Sequence, residues 1–189
     1  KSTGVLTESY EASLKADIKI QIQEAFDWAN KQPAILPDVL VELNDVYAPH
    51  TFVLNSPSDA SEEIRFIDAI QDGLRQSLKR YPSLLIMGQD IAEYGGAFKV
   101  TEGFVEEFGK DRIRNTPLCE SAIVGAALGL SIAGMKAVVE MQFADFVTCG
   151  FNQIINNLAK IHWRWGQNAD VVIRMPTGAG AAAGPFHSQ

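Results

Sequence analysis

The chain has 189 residues, 47% of them apolar and 21% charged, and a formal net charge of -7. That length suits one medium domain with an appendage, and the composition is that of an ordinary globular protein. The negative charge argues against nucleic acid or an anionic membrane as partner, and no apolar run approaches the roughly 20 residues that span a bilayer.

The start at Lys1, with no charged-then-apolar leader, is read as a segment taken from something longer. Residues 17–31 carry Ile18, Ile22, Ala25, Phe26 and Ala29 at helical spacing, and Pro33 and Pro37 stop the helix. Residues 38–47 read as a short helical turn. From 48 to 61 the chain is polar and turn-rich, as a linker is. Asp59 with Glu62 forms a possible capping box before an amphipathic helix over 64–81, with Ile67, Ile70, Leu74 and Leu78 on one face. A short apolar strand follows over 84–87, closed by Gly88. A helix is expected over 100–108, ended by Gly109. Thr116-Pro117 resembles a helix cap with proline at the first helical position, and this helix runs through Ala133 to a stop at Gly134. Its interior holds Gly125, Ala126, Ala127 and Gly129, which requires close packing against a neighbour. A strand over 136–141, a long helix over 146–165 and a strand over 171–175 complete the pattern before a Gly/Ala-rich loop, 177–189.

Strands alternating with helices point to an α/β fold, a parallel sheet covered by helices on both faces. Ligands of such sheets sit beyond the carboxyl ends of the strands, here 88–96, 142–146 and 176–189. Glu120 opens an apolar helix. An acidic residue there can simply complement the helix dipole, worth about 0.3–1 kcal/mol, or serve as a carboxyl in an apolar site that exchanges a proton with a bound base. Phe143 and Phe146 are core aromatics or a platform for a flat heterocycle, with Asp145 as a helix cap between them. His187 lies in the closing loop, either solvated or carried by a lid over the site. The glycine spacing there is not a dinucleotide fingerprint. Tyr94-Gly95-Gly96 gives a tight turn, and 110–114 is a mixed-charge surface run. Ser121, Ser131 and Ser188 lack the context of a hydrolase nucleophile. Cys119 and Cys149 are expected as buried, reduced thiols. His50, His162 and His187 are too scattered for a transition-metal site.

Several motifs occur together and in order: the stretch 88–103 around Tyr94-Gly95-Gly96-Ala97-Phe98-Lys99, Arg114-Asn115-Thr116-Pro117-Leu118-Cys119-Glu120, Glu140-Met141-Gln142-Phe143-Ala144-Asp145-Phe146, Asn152-Gln153-Ile154, and Ile173-Arg174-Met175-Pro176 with Gly184-Pro185-Phe186-His187-Ser188-Gln189. They resemble the β subunit of thiamine-diphosphate-dependent branched-chain 2-oxoacid dehydrogenases and, slightly less closely, of pyruvate dehydrogenases. Residues 4–47, ending in Asp45-Val46-Tyr47, resemble the C-terminal tail of the α subunit of the same enzymes.

The resemblance implies three parts: a helical α-type tail (1–48), a linker (49–61) and a truncated transketolase-like pyrimidine-binding domain (62–189). The order suggests an internal piece of a fused α–β enzyme. Carried over to matching positions, Glu120 hydrogen-bonds the aminopyrimidine N1′ of thiamine diphosphate, Phe146 packs on that ring, Leu118 and Gln142 also line the cofactor, and His187 supports transfer of the acyl group. The implied reaction is oxidative decarboxylation of a 2-oxoacid, with the acyl group passed to lipoamide on a separate acyltransferase. The 142–146 motif leans toward the branched-chain enzymes (2-oxoisovalerate) over the pyruvate or acetoin enzymes.

The family holds the diphosphate through Mg²⁺ on a Gly-Asp-Gly motif of the α-type half, and that tripeptide is absent from this sequence. The piece by itself is therefore expected neither to bind the cofactor usefully nor to turn over. Its expected partners are the α-type half, the rest of the β-type half and a lipoyl-bearing acyltransferase, in a homodimer or heterotetramer-like assembly in the cytoplasm. A purely structural assembly module is the competing reading, and a nucleotide-binding oxidoreductase the weakest. Uncovered apolar surface on a truncated sheet predicts self-association.

Overall fold

A computed structural model describes Gly4, 6–54, Ser56, 61–178 and His187. Asp59 of the expected capping box and most of the Gly/Ala-rich loop, including 179–186, Ser188 and Gln189, lie outside the described residues. The chain divides into two units, Lys1–Glu42 and Leu43–Gln189, and each is described by itself.

The first unit is built on α1 (Glu8–Lys31). It begins well before the expected start because local capping, not apolar periodicity, sets its N-terminus. The Thr7 hydroxyl accepts from the Tyr10 N–H at 3.2 Å, and Glu8 and Glu11 complement the dipole. Gln32 precedes Pro33 and is extended, which ends the helix. No residue of α1 is buried. The next helix, α2 (Val39–Asp45), spans the division between the units. Asp38 caps it by accepting from the N–H groups of Leu40 (2.9 Å) and Val41 (3.2 Å).

The second unit is a four-stranded, wholly parallel sheet in the order β2-β1-β3-β4. Its strands are β1 (Leu84–Gly88), β2 (Ile113–Asn115), β3 (Lys136–Glu140) and β4 (Val171–Arg174). They are connected by α4 (Phe104–Phe108), α5 (Glu120–Ile132), α6 (Val147–Gln153) and α7 (Ile161–Trp165), and α3 (Phe66–Arg80) precedes them. Alternation along the strands makes two cores. Leu84, Ile86 and Val138 pack with Leu78 of α3, Phe104 and Ile113 on one face. Leu85, Met87, Ala137 and Val139 pack with Ile123 and Ala127 of α5 on the other. The α/β sheet with helices on both faces is thus as expected. Each Leu, Ile, Val, Met or Phe side chain so buried contributes about 1.5–3 kcal/mol. Along α3 the expected face is graded: Leu78 is buried, while Ile67, Ile70 and Leu74 are half-buried.

Four local expectations are corrected. Residues 110–114 are not merely surface. Ile113 is buried, and Arg112 donates to Leu84 O (3.0 Å), Leu78 O (2.7 Å) and Tyr81 O (2.9 Å), clamping the end of α3 to the sheet. Thr116 does not cap α5, which starts only at Glu120; its N–H donates instead to Gly88 O at 2.9 Å and extends the β2–β1 ladder. Cys119 is the cap residue instead, and it makes no side-chain cap bond. The helix expected over 100–108 is only α4, because Thr101 is tied by its hydroxyl to Ile91 O at 2.6 Å.

The fourth concerns 146–165, which is not one helix. A 3₁₀ turn (Ala144–Phe146), α6, a π-helical turn (Ile154–Leu158) and α7 follow one another. Ala159 N–H reaches back to Ile154 O at 2.9 Å, one residue further than an α-helix uses. Within this segment the Asn156 and Asn157 amides bond back to Asn152 and Gln153.

Both cysteines are free, as expected, but exposed rather than buried. The Gly/Ala content of α5 has a more specific meaning than its sequence suggests. Ala127 is fully buried on the sheet, whereas the closest helix approach is made by Gly150 of α6. A Cβ there would lie 3.0 Å from Met141 Cε and 3.3 Å from Glu120 O. Among the described residues no helix is long and apolar enough to cross a membrane.

Candidate active site

The chain leaves β1 toward β2 and then crosses back to β3 on the other side of β1. The strand order thus reverses between β1 and β3, and parallel sheets hold ligands beyond the carboxyl ends of the strands at such a switch point. The strand ends are in register: Gly88 pairs with Glu140, and Glu140 with Arg174. Gly88 is required by this approach, since a Cβ would meet Glu140 O at 2.8 Å.

Glu140 is 3% exposed. Arg174 donates to its Oε2 from Nε (3.0 Å) and Nη2 (2.7 Å). Burial pushes the Glu140 carboxyl above its ordinary pKa, and the charge and hydrogen bonds of Arg174 pull the other way. The turn after β1 folds over this pair. Gly96 N–H donates to Asp90 O at 2.8 Å, and a Cβ on Gly96 would come within 3.4 Å of Glu140 Oε1. Lys99 closes the turn from outside, with Nζ 2.5 Å from Tyr94 O and 3.5 Å from the Tyr94 ring centroid.

Glu120 is the first residue of α5 and is 7% exposed. Its carboxylate therefore lies at a helix N-terminus, where the dipole favours negative charge, but inside the protein rather than in solvent. Gln89, the residue after β1, is equally buried and donates from Nε2 to Glu120 Oε1 at 3.2 Å. The Thr116 hydroxyl, at the end of the neighbouring strand, is buried with no hydrogen-bond partner among the described residues.

A second cluster surrounds the 142–146 turn. His187 lies edge-on to Phe143 (5.0 Å between centroids) and Phe146 (5.6 Å). Phe143 also meets Phe146 and Phe98, each at 5.8 Å. The turn is anchored at both ends, Met141 N–H to Arg174 O and Ala144 N–H to Pro176 O, each at 3.0 Å.

The residues picked from sequence thus fall into groups. Phe146 and His187 are in ring contact. Glu120 is joined to Gln89, and no hydrogen bond or ring contact among the described residues links it to His187. Gln142 is half-buried in the anchored turn. Leu118 is 79% exposed on the approach to α5. Phe143 and Phe146 belong to neither hydrophobic core and are only half-buried. Sequence reasoning passed over Gln89, Glu140 and Arg174. The available signal was a charged residue as the last position of two apolar strands, Val138-Val139-Glu140 and Val172-Ile173-Arg174.

Comparison with known proteins adds a family. Residues 62–189 match the model described as transketolase, pyrimidine binding domain. The chain is 40% identical over 126 residues to the 2-oxoisovalerate dehydrogenase subunit beta of Bacillus subtilis, covering 66% of this chain and 38% of that protein. It is 42% identical over 138 residues to the pyruvate dehydrogenase E1 component subunit beta of Leifsonia xyli subsp. xyli, covering 72% and 41%. It is 34% identical over 163 residues to the chloroplastic pyruvate dehydrogenase E1 component subunit beta-3 of Arabidopsis thaliana, covering 85% and 39%. The chain therefore spans about two-fifths of the length of these relatives.

Proposed function

The chain belongs to the transketolase pyrimidine-binding family, and from that premise we propose that it is the β-type part of the decarboxylating component of a 2-oxoacid dehydrogenase. The single observation that carries this reading is Glu120: a buried carboxyl at a helix start, beside a strand end, with one oxygen occupied by an amide.

The residues present suit thiamine diphosphate. A buried acid, a buried hydroxyl with no partner on Thr116 and a half-buried aromatic at the next strand end are the groups a flat, nitrogen-rich ring requires. When bound, the cofactor supplies the electron sink for loss of carbon dioxide. Glu120 holds a proton at the aminopyrimidine N1′. Phe146, Leu118 and Gln142 are the residues that would hold the ring. His187, steadied by Phe143 and Phe146, gives or orients a proton during transfer of the acyl group to lipoamide. Mg²⁺ and the diphosphate are held by an α-type half, whose C-terminal tail we assign to residues 1–48, with 49–61 as linker.

The substrate we favour is a branched-chain 2-oxoacid of the 2-oxoisovalerate type, on the strength of the 142–146 motif. Relatives named for both substrates match at similar identity, so pyruvate is the alternative. The partners are the α-type half and the lipoyl-bearing acyltransferase. In the full-length enzyme, Glu120→Gln should lower turnover by about 100-fold or more, the scale of a lost general acid–base group, with the fold intact by circular dichroism. Near-normal turnover would discard the catalytic reading and leave an assembly module. Comparing kcat/KM on 2-oxoisovalerate and pyruvate decides the substrate.

A further inference from the structure

We infer that Phe98 is a positioning residue: through Phe143 it holds the imidazole of His187 where that group acts in acyl transfer. This rests on the reading of His187 given above and deepens it. Among the described residues Phe143 is the one ring that meets three others edge-on, Phe98 and Phe146 at 5.8 Å and His187 at 5.0 Å. Phe146 and His187 also meet each other and close a triangle with it. Phe98 stands outside that triangle and touches it at Phe143.

Phe143 belongs to neither hydrophobic core, so no core fixes its ring. The backbone bonds at Met141 and Ala144 anchor the turn but leave the side-chain torsions to be set by contacts. Edge-to-face contacts can set them, because the positive edge of one ring meets the negative face of the next. Phe98 gives such a contact only if its own backbone is held, and it is. Thr101 N–H donates to Gly95 O at 3.2 Å, and the Thr101 hydroxyl donates to Ile91 O at 2.6 Å. Lys99, next in the chain, has φ of +59°, in the left-handed region that side chains seldom adopt. A conformation of that kind persists where its surroundings over-determine it, and here Lys99 Nζ clasps the carbonyl and ring of Tyr94. Phe98 itself is 37% exposed. Its ring is therefore placed less to fill a core than to press on Phe143.

The test compares Phe98→Leu, which removes the ring, with Phe98→Tyr, which keeps it, in the full-length enzyme. Without cofactor or substrate, the rate at which diethyl pyrocarbonate modifies each histidine is read by mass spectrometry. Loss of one aromatic pair predicts that His187 reacts roughly 2- to 10-fold faster in Phe98→Leu. His50 and His162 should be unchanged, and Phe98→Tyr should stay close to the native rate. With thiamine diphosphate and Mg²⁺ added, kcat for acyl transfer to a lipoyl domain should fall by a similar factor at unchanged KM for that domain. Decarboxylation assayed with a redox dye in place of lipoamide should stay near normal. Should Phe98→Leu fail to fold, Lys99→Gly, which relieves the positive φ and removes the clasp on Tyr94, carries the same readouts. Unchanged reactivity at His187 would overturn the inference. A change shared by His162, or equal losses in both assays, would show a merely structural role and overturn it too. A raised KM alone would make Phe98 a docking contact, with the same consequence. His187→Asn separates the premise: normal acyl transfer there removes the reading of His187 and this inference with it, whereas a collapse there beside unaffected Phe98 variants removes the inference alone.

Discussion

α1 and α5 are both helices with many apolar residues, yet they are stabilised in opposite ways. α1 carries a capping threonine, acidic residues in its first turn, a Glu11–Lys15 pair at 2.7 Å and Lys31 in its last turn, but no buried residue. α5 lacks a side-chain cap and has Gly125 and Gly129 inside it, each costing about 1 kcal/mol relative to Ala. It nevertheless buries Glu120, Ile123, Val124, Ala127 and Ser131. The first helix is specified by its ends and its surface pairs. The second exists because the sheet and α6 hold it, and that same packing is what carries an acid into the interior.

The contrast can be broken most forcefully at the strand ends that support α5's site. Arg174→Met leaves the Glu140 carboxylate buried without its partner, and unfolding in urea should show a loss of about 3–5 kcal/mol at neutral pH. The loss should shrink in mild acid. Burial raises the folded-state pKa of Glu140 above its unfolded value, so the penalty belongs to the ionised form and is relieved as pH falls through that range. A loss that does not depend on pH would show that packing, not charge, is what Arg174 supplies. Ile123→Ala, on the buried face of α5, should cost about 2–5 kcal/mol by the same measurement. Its counterpart in α1, Phe26→Ala, removes a side chain that is 64% exposed and should stay within about 0.5 kcal/mol. A large effect at Phe26 would mean that α1 is covered by something in solution and would erase the distinction.

The helices and strands legible in the sequence are those with a strong local period. The α3 face and the apolar runs of β1, β3 and β4 fall in this class. β2 is three residues long and its only apolar member is Ile113, so a charged stretch concealed it. The break within 146–165 was concealed for the opposite reason: its apolar spacing is helical throughout, and the π turn becomes apparent only in the backbone hydrogen bonding. Glu120, Phe146 and His187 stood out because they sit in motifs at strand ends. Glu140 lies in the motif that holds Phe146 and Gln89 in the 88–103 stretch, but their contacts are with partners far along the chain.

By itself, then, the sequence determined an alternating α/β pattern, the strand ends where chemistry should sit, and a resemblance specific enough to name a family. Periodicity, turn residues and motifs are local properties, readable a few residues at a time. Only the tertiary structure decided the order β2-β1-β3-β4, the meeting of Gln89 with Glu120 and the joint burial of Glu140 and Arg174. Those pairs lie 31 and 34 residues apart. Bringing them together requires the closure of whole strand–helix–strand connections, whose cost is met by the burial of both sheet faces and not by anything in the pairs themselves.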